Sequence, residues 1–400
     1  MNATPDHNSA TVETAPPFFS GRLAAAYILQ FLFIGLYTPF FPVWLEYQAL
    51  TPIEISTVLA FPLLVRVLAT VPMMWVADYH PDRAKLFSML YTLAMLAMMG
   101  FLAAGGFWEI LIISFIFHFF FNGLLPILDA ITLSGVRRFD ADYGRIRIWG
   151  SIAFILANLG GGWLIADFQA PAILWTLMGT VSVGLLISFS VPRIGRSVRP
   201  IHRLAGAGSA RALIVDQRFV MTATAIGLGQ AAHALLYGFG TIYWQSLGFG
   251  GAAIGALWAI GVMTEIALFQ VAKGLLRCYG AVLMIAIGLT AGAIRWAFFP
   301  VVTEYWPFFA LQILHGLSFG AVHIGSMQFI MESVPEERLG TGQAVVYVAS
   351  GALMGILIFL AGPIYETFSA DGFWLMGAVC LIGLALLLRA ASPDKATEQG

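Results

Sequence analysis

Residues 192–217 read PRIGRSVRPIHRLAGAGSARALIVDQ, the longest polar break in an otherwise almost continuously apolar chain. The stretch carries Arg193, Arg196, Arg199, Arg203 and Arg211 and lacks an apolar run long enough for a bilayer, which takes roughly 20 residues. It therefore divides its surroundings. Six apolar spans precede it, at 21–45, 53–76, 84–105, 108–135, 146–166 and 170–191. Six follow it, at 218–246, 251–273, 280–299, 304–332, 340–366 and 371–390. The expectation is an all-α membrane protein of twelve transmembrane helices in two six-helix halves. The halves cover 20–191 and 218–391, joined by a cytoplasmic linker over 192–217 and flanked by tails over 1–19 and 392–400.

Composition agrees. Of 400 residues, 60% are hydrophobic and 10% charged, and the mean hydropathy is +0.86. Soluble domains carry roughly 25% charged residues. The expected partners are the lipid bilayer and a small-molecule substrate. Nucleic acid is excluded, since no basic face accompanies a soluble fold. The opening MNATPDHNSATVETAPP contains no Lys or Arg and no apolar run, so it reads as a disordered tail and not as a signal peptide. Lys and Arg fall only in alternate gaps, those after spans 2, 4, 6, 8 and 10, which include Arg83, Lys85, Arg137, Arg138, Lys273 and Arg277. The positive-inside rule then places both termini in the cytoplasm.

The halves echo each other. Gln30, Tyr37 and Trp44 of span 1 recur as Gln230, Tyr237 and Trp244 of span 7, and Arg66 of span 2 corresponds to Glu265 of span 8. A seven-residue spacing is close to two helical turns, so each trio marks one helix face. Two parallel six-span repeats are expected to hold a substrate near the bilayer midplane, at the interface of the halves.

Charge inside a membrane demands a reason, because each ionised group costs about 2.5–3.5 kcal/mol at a helix centre. In span 4, His118, Asn122 and Asp129 fall within an arc of ~40° on a regular helix. In span 10, Gln312, His315 and His323 fall within ~80°. Each is read as a polar stripe facing a water-filled cavity. Interhelical hydrogen bonding is the structural alternative. Arg66 lies mid-span, too far from either end to snorkel comfortably, and needs a cavity or an anion. Arg295 lies towards the outer half of span 9, where a structural ion pair is the alternative to a functional role. Glu265 is a lone carboxylate among apolar neighbours, and desolvation disfavours its charged form; that suits a proton carrier or a silent acid. His233 shares the face of Gln230 and Tyr237. Glycine-rich runs such as LGGGW and SGALMG are assigned to close helix packing.

Absent patterns narrow the function. There is no G-x-x-x-x-G-K-[ST] phosphate loop, no H-E-x-x-H and no cysteine cluster. Cys278 and Cys380 lie far apart and suggest neither a disulfide framework nor a metal site. No cofactor is expected, and neither enzyme nor ATP-driven pump is supported. A signalling sensor on the same fold would need a larger cytoplasmic domain than the linker and tails provide.

YGRIRIWGSIAF (143–154), YGFGTIYWQSLGF (237–249), ALWAIGVMTEI (256–266), AIRWAFF (293–299) and LQILHGLSFGAVHIGSM (311–327) resemble the phenylpropionate permease family of the major facilitator superfamily, across nearly all of 20–390. The resemblance implies a proton-coupled importer of a small organic acid, such as a phenylpropionate-like aromatic acid, in the bacterial inner membrane, working by alternating access and expected to be monomeric. A sugar or nucleoside symporter, or a drug or metabolite exporter, is the alternative. A more distant resemblance, to the lactose:proton symporters, implies substrate binding by Asp129 and Arg147 and coupling through Arg295 and His315. The coupling carboxylate that family carries three residues after the histidine is Ser318 here. The proton is therefore assigned to Glu265, with Asp129 as the second candidate. Tyr37, Trp44, Tyr237 and Trp244 are expected to stack on the substrate's apolar body, with Arg66, His118, Asn122 and His233 also lining the site. Arg145 and Arg147 point about 200° apart on a helix and cannot share a face. Arg147 faces the cavity, with Asp129 or Glu265 as its resting partner, while Arg145 meets headgroups or Asp142. ADYHPDRAKL (77–86) resembles a degraded form of the loop that major facilitators carry after span 2. Its Asp78 and Arg83 act either as a gate latch or as ordinary positive-inside charge.

Overall fold

The computed structural model describes residues 14–194, 212–335 and 338–392, and for 67–75 and 77–79 the backbone alone. The described chain is helical, without strands. The helices of the N-terminal half are α1 (Phe19–Tyr47), α2 (Pro52–Tyr79), α3 (Arg83–Met99), α4 (Phe107–Phe121), α5 (Leu124–Phe139), α6 (Tyr143–Asp167) and α7 (Pro171–Ser188). The C-terminal half has α8 (Gln217–Ala231), α9 (Ala234–Ser246), α10 (Gly251–Phe298), α11 (Tyr305–Ile313), α12 (Val322–Ser333), α13 (Leu339–Phe368) and α14 (Gly372–Ala391).

The starts follow capping chemistry. Thr51 and Glu54 form a reciprocal capping box at α2, with Pro52 in the first turn. Asp82, Asp142 and Asp216 cap α3, α6 and α8 through side-chain oxygens that accept backbone N–H groups.

Nine helical stretches among the described residues are long and apolar enough to cross a membrane. Two of them, Gly251–Val301 with 51 residues and Leu339–Ala391 with 53, exceed any single crossing, since a helix covers a ~30 Å core in about 20 residues. The first folds back at Gly280, whose φ of 69° and ψ of 175° a side chain would oppose. The second is divided by the short turn Ser369–Asp371. Helix α2, with 28 residues, has crossing length as well. These divisions coincide with the segment boundaries expected from the sequence.

The halves meet along α2–α13, α6–α10 and α1–α9. The tightest contacts lie at the end of the bundle opposite residues 192–194. A Cβ on Gly162 would stand 2.3 Å from the Gly251 carbonyl oxygen, and one on Gly255 would stand 2.6 Å from that of Asn158. On the other seam, a Cβ on Gly362 would meet Ser56 Oγ at 2.1 Å, and Ser56 donates to the Phe359 carbonyl at 3.1 Å. Glycine thus closes the far end backbone to backbone. At the linker end, Arg193 pairs with Asp82 at 3.5 Å, Arg138 donates to the Ile194 carbonyl at 2.9 Å, and Arg83 lies 3.5 Å from Ser134 Oγ. The Asp78 side chain lies outside the described residues.

Candidate functional site

Four of the expected spans combine an irregular helix with polar candidates. Span 1 carries Pro39 and Pro42, span 4 breaks at Asn122–Gly123, span 7 breaks at Ala232–His233, and span 10 contains a π-helical turn over Gly316–Ala321. Irregular backbone at membrane depth is tolerated where protein buries it or where it lines a cavity. The polar residues singled out in the sequence concentrate in the same four spans.

The breaks overturn the stripe geometry of spans 4 and 10, which assumed continuous helices. His118 is buried and packs edge-on against Tyr37, ring centroids 5.0 Å apart, with Nδ1 at 2.9 Å from the Ser114 carbonyl. Asn122 instead donates to the Pro62 carbonyl of α2 at 3.3 Å. Asp129, beyond the break, turns to α1 and α6. In span 10, Gln312 and His315 stay together, but the π-helical turn carries His323 away to Phe269 on an exposed face.

The N-terminal cluster is built on Asp129. The Tyr27 hydroxyl donates to Asp129 Oδ1, and Tyr143 donates to the same oxygen at 3.3 Å. The Arg147 guanidinium carbon stands 3.9 Å above the Phe31 ring centroid and 5.4 Å above that of Tyr27. Among the described residues no carboxylate lies within 4.0 Å of Arg147. The question of whether Asp129 or Glu265 holds Arg147 thus has an answer outside both: two aromatic faces hold it, and two phenols occupy Asp129. Arg145 is exposed, and its backbone N–H caps onto Asp142 at 3.0 Å. Tyr27, Phe31 and Tyr143 escaped the sequence reading. Tyr27 and Phe31 are one turn apart on α1, and Tyr143 is one turn before Arg147, so helical spacing from Arg147 and Gln30 was the available signal.

The C-terminal cluster is built on Arg295, which is fully buried. It donates from Nη1 to His315 Nδ1 at 3.2 Å and to Ser318 Oγ at 3.3 Å, and from Nη2 to Gln312 Oε1. Its guanidinium also lies 4.4 Å from the Trp296 ring centroid. Gln312 is fixed in turn by donating to the Leu257 carbonyl at 2.8 Å. A guanidinium only donates, so His315 Nδ1 accepts and its proton sits on Nε2, which faces Glu265 Oε2 at 3.9 Å. His233 has the opposite tautomer. Its Nδ1 faces the Gly229 and Gln230 carbonyls at 3.2 and 3.1 Å, leaving Nε2 to accept from Ser318 Oγ at 3.2 Å. One hydrogen-bonded chain therefore runs from Arg295 through Ser318 to His233, while Arg295 through His315 points an N–H towards Glu265 at 3.9 Å without a hydrogen bond.

The remaining candidates are spread out. Trp44 and Trp244 are 2% and 0% exposed and pack inside their own halves, on Phe41 and Phe101 and on Trp258, Phe299 and Phe308, whereas cavity-facing rings were expected. Tyr37 and Tyr237 are half-buried, stacked on Phe33 and Phe41 and on Trp258 respectively. Arg66 reaches across the α2–α13 seam to the Tyr347 ring, 5.3 Å from its centroid, apart from the Arg147 cluster. Gln30 and Gln230, matched in the repeat, bond differently, to the Tyr91 hydroxyl and the Phe319 carbonyl.

A helical membrane bundle with two polar clusters at irregular helices and glycine-closed seams between its halves has the build of a membrane transporter. The chain belongs to the MFS_1 like family, which matches residues 21–376. It is 31% identical to the probable 3-phenylpropionic acid transporter of Escherichia coli (strain K12), over 91% of this chain and 96% of that one. It is 22% identical to the maltose permease of Geobacillus stearothermophilus, over 99% and 98%. The solved structure of the nucleoside transporter NupG superposes with a TM-score of 0.84 at 17% identity, covering 94% of this chain and all of that one.

Proposed function

We propose that the protein imports a small organic acid of the phenylpropionate class together with a proton. In this reading it works as a monomer in the bacterial inner membrane, with both termini cytoplasmic. The carrying observation is Arg147, a cation with no carboxylate partner among the described residues, beside an Asp129 whose Oδ1 already accepts from two hydroxyls. An anionic substrate supplies the missing charge. The 31% identity to a 3-phenylpropionic acid transporter supports the aromatic acid over the sugar and nucleoside alternatives.

Coupling falls to Glu265. Arg295 donates into His315 Nδ1, and a second proton on that ring would face the guanidinium, so His315 positions the carboxylate and does not carry the proton. An ionised Glu265 balances buried Arg295 through His315. A substrate anion entering with a proton on Glu265 leaves the net charge between the halves unchanged, and the loaded carrier can reorient without exposing unpaired charge to low dielectric. In this reading, closure at the glycine seams corresponds to the inward-facing member of the alternating pair.

The test uses purified protein in liposomes with an imposed pH gradient, acidic outside. The expectation is accumulation of 3-phenylpropionate, lost when a protonophore collapses the gradient. Accumulation of maltose or uridine, with 3-phenylpropionate neither transported nor competing, overturns the proposal.

A further inference from the structure

The Arg147 side chain rests in a seat made by two residues that carry no charge. On one side is the Phe31 ring of α1, 3.9 Å from the guanidinium carbon. On the other is Gly150, one turn along α6. A Cβ at Gly150 would lie 2.9 Å from the Phe31 ring and 3.0 Å from Arg147 Nη1, closer than ordinary carbon contacts allow. A side chain at position 150 would crowd Phe31 and Arg147 in this arrangement. The next glycine along that face, Gly161, serves packing in the usual way, with the Phe40 ring of α1 filling the missing Cβ.

We infer that Phe31 and Gly150 are positioning residues that hold the Arg147 guanidinium by its face, so that its edge is presented to a planar carboxylate. A guanidinium's N–H bonds lie in its plane. Stacking on an aromatic face uses the face and leaves the paired edge donors free for a two-point bond to a carboxylate. A neutral amide of the same shape presents one acceptor oxygen and two N–H donors to that edge, and is rejected. The inference rests on Arg147 as the substrate anchor and adds what orients it and what chemistry it selects.

Four variants test it in liposomes with 3-phenylpropionate as probe and 3-phenylpropionamide as competitor. A stacked guanidinium is stabilised enough to change KM about three- to thirtyfold. Phe31→Leu and Gly150→Ala are expected to raise KM by that factor with Vmax nearly unchanged, and Phe31→Trp to restore it. The amide is expected not to compete with the wild type. A substrate-independent readout is phenylglyoxal modification of Arg147, followed by peptide mass spectrometry on substrate-free protein. Its rate is expected to shift in Phe31→Leu and return in Phe31→Trp. If Arg147→Gln abolishes uptake while both seat variants keep the wild-type KM and labelling rate, the seat is wrong and the anchor stands. If Arg147→Gln transports like the wild type, the anchor itself is wrong, and the labelling rates still decide whether the seat exists. If Gly150→Ala does not fold, Phe31→Leu and Phe31→Trp decide alone.

Discussion

The two halves hold their intramembrane arginines in opposite ways. Arg147 lies on aromatic faces with its donors uncommitted to any carboxylate among the described residues. Arg295 is sealed from solvent, with both Nη atoms bonded to neutral side chains and Nε left without a partner. A cation with free donors is suited to a ligand that comes and goes. A cation whose Nη donors are held by neighbours is suited to fixing the groups around it, here the tautomer of His315 and the hydroxyl of Ser318. Under the proposed function, the internal repeat doubles the scaffold while dividing the labour: one half binds substrate and the other couples protons.

That division can be broken in order of expected effect. Arg147→Lys keeps the charge but loses the planar fork and the stack, and should lower Vmax/KM for 3-phenylpropionate by about a hundredfold or more, measured as initial uptake. Next is Glu265→Gln, which should abolish accumulation driven by a pH gradient while exchange of internal for external substrate continues. Loss of neither would detach Glu265 from coupling. Ser318→Ala removes the link between Arg295 and His233 and leaves a buried donor and acceptor unpaired, costing about 1–3 kcal/mol. Thermal unfolding in detergent should show it as a lowered Tm, with Ser318→Thr closer to the wild type. Smallest is Arg145→Lys, an exposed residue at the helix entrance, for which less than about a twofold change in uptake is expected. Equal losses at Arg145 and Arg147 would erase the distinction between them.

Legibility in the sequence tracked range. The polar break at 192–217 and the apolar runs around it are local signals, and the helices among the described residues follow them. The grouping of Arg295 with His315 was legible through resemblance, and so was the loss of a carboxylate at Ser318. The polar stripe of span 4 was misjudged because face arithmetic accumulates 100° per residue only on an unbroken helix, and the break at Asn122–Gly123 resets it. Trp44 and Trp244 share a face with Tyr37 and Tyr237 in sequence, but neighbouring aromatics from other helices enclose them.

By itself the sequence determined that this chain lives in a bilayer, where its helices begin, and which residues are too polar to be there without cause. Hydropathy and capping act over a few residues, and no partner need be known to read them. Only the tertiary structure decided which partner each polar residue has. Asp129 is held by Tyr27 and Tyr143, Arg147 lies over Phe31 beside Gly150, and Ser318 stands between Arg295 and His233. Those pairings depend on how helices far apart in the chain are rotated and spaced. A missing Cβ or one π-helical turn sets that rotation, and neither leaves a mark that hydropathy can detect.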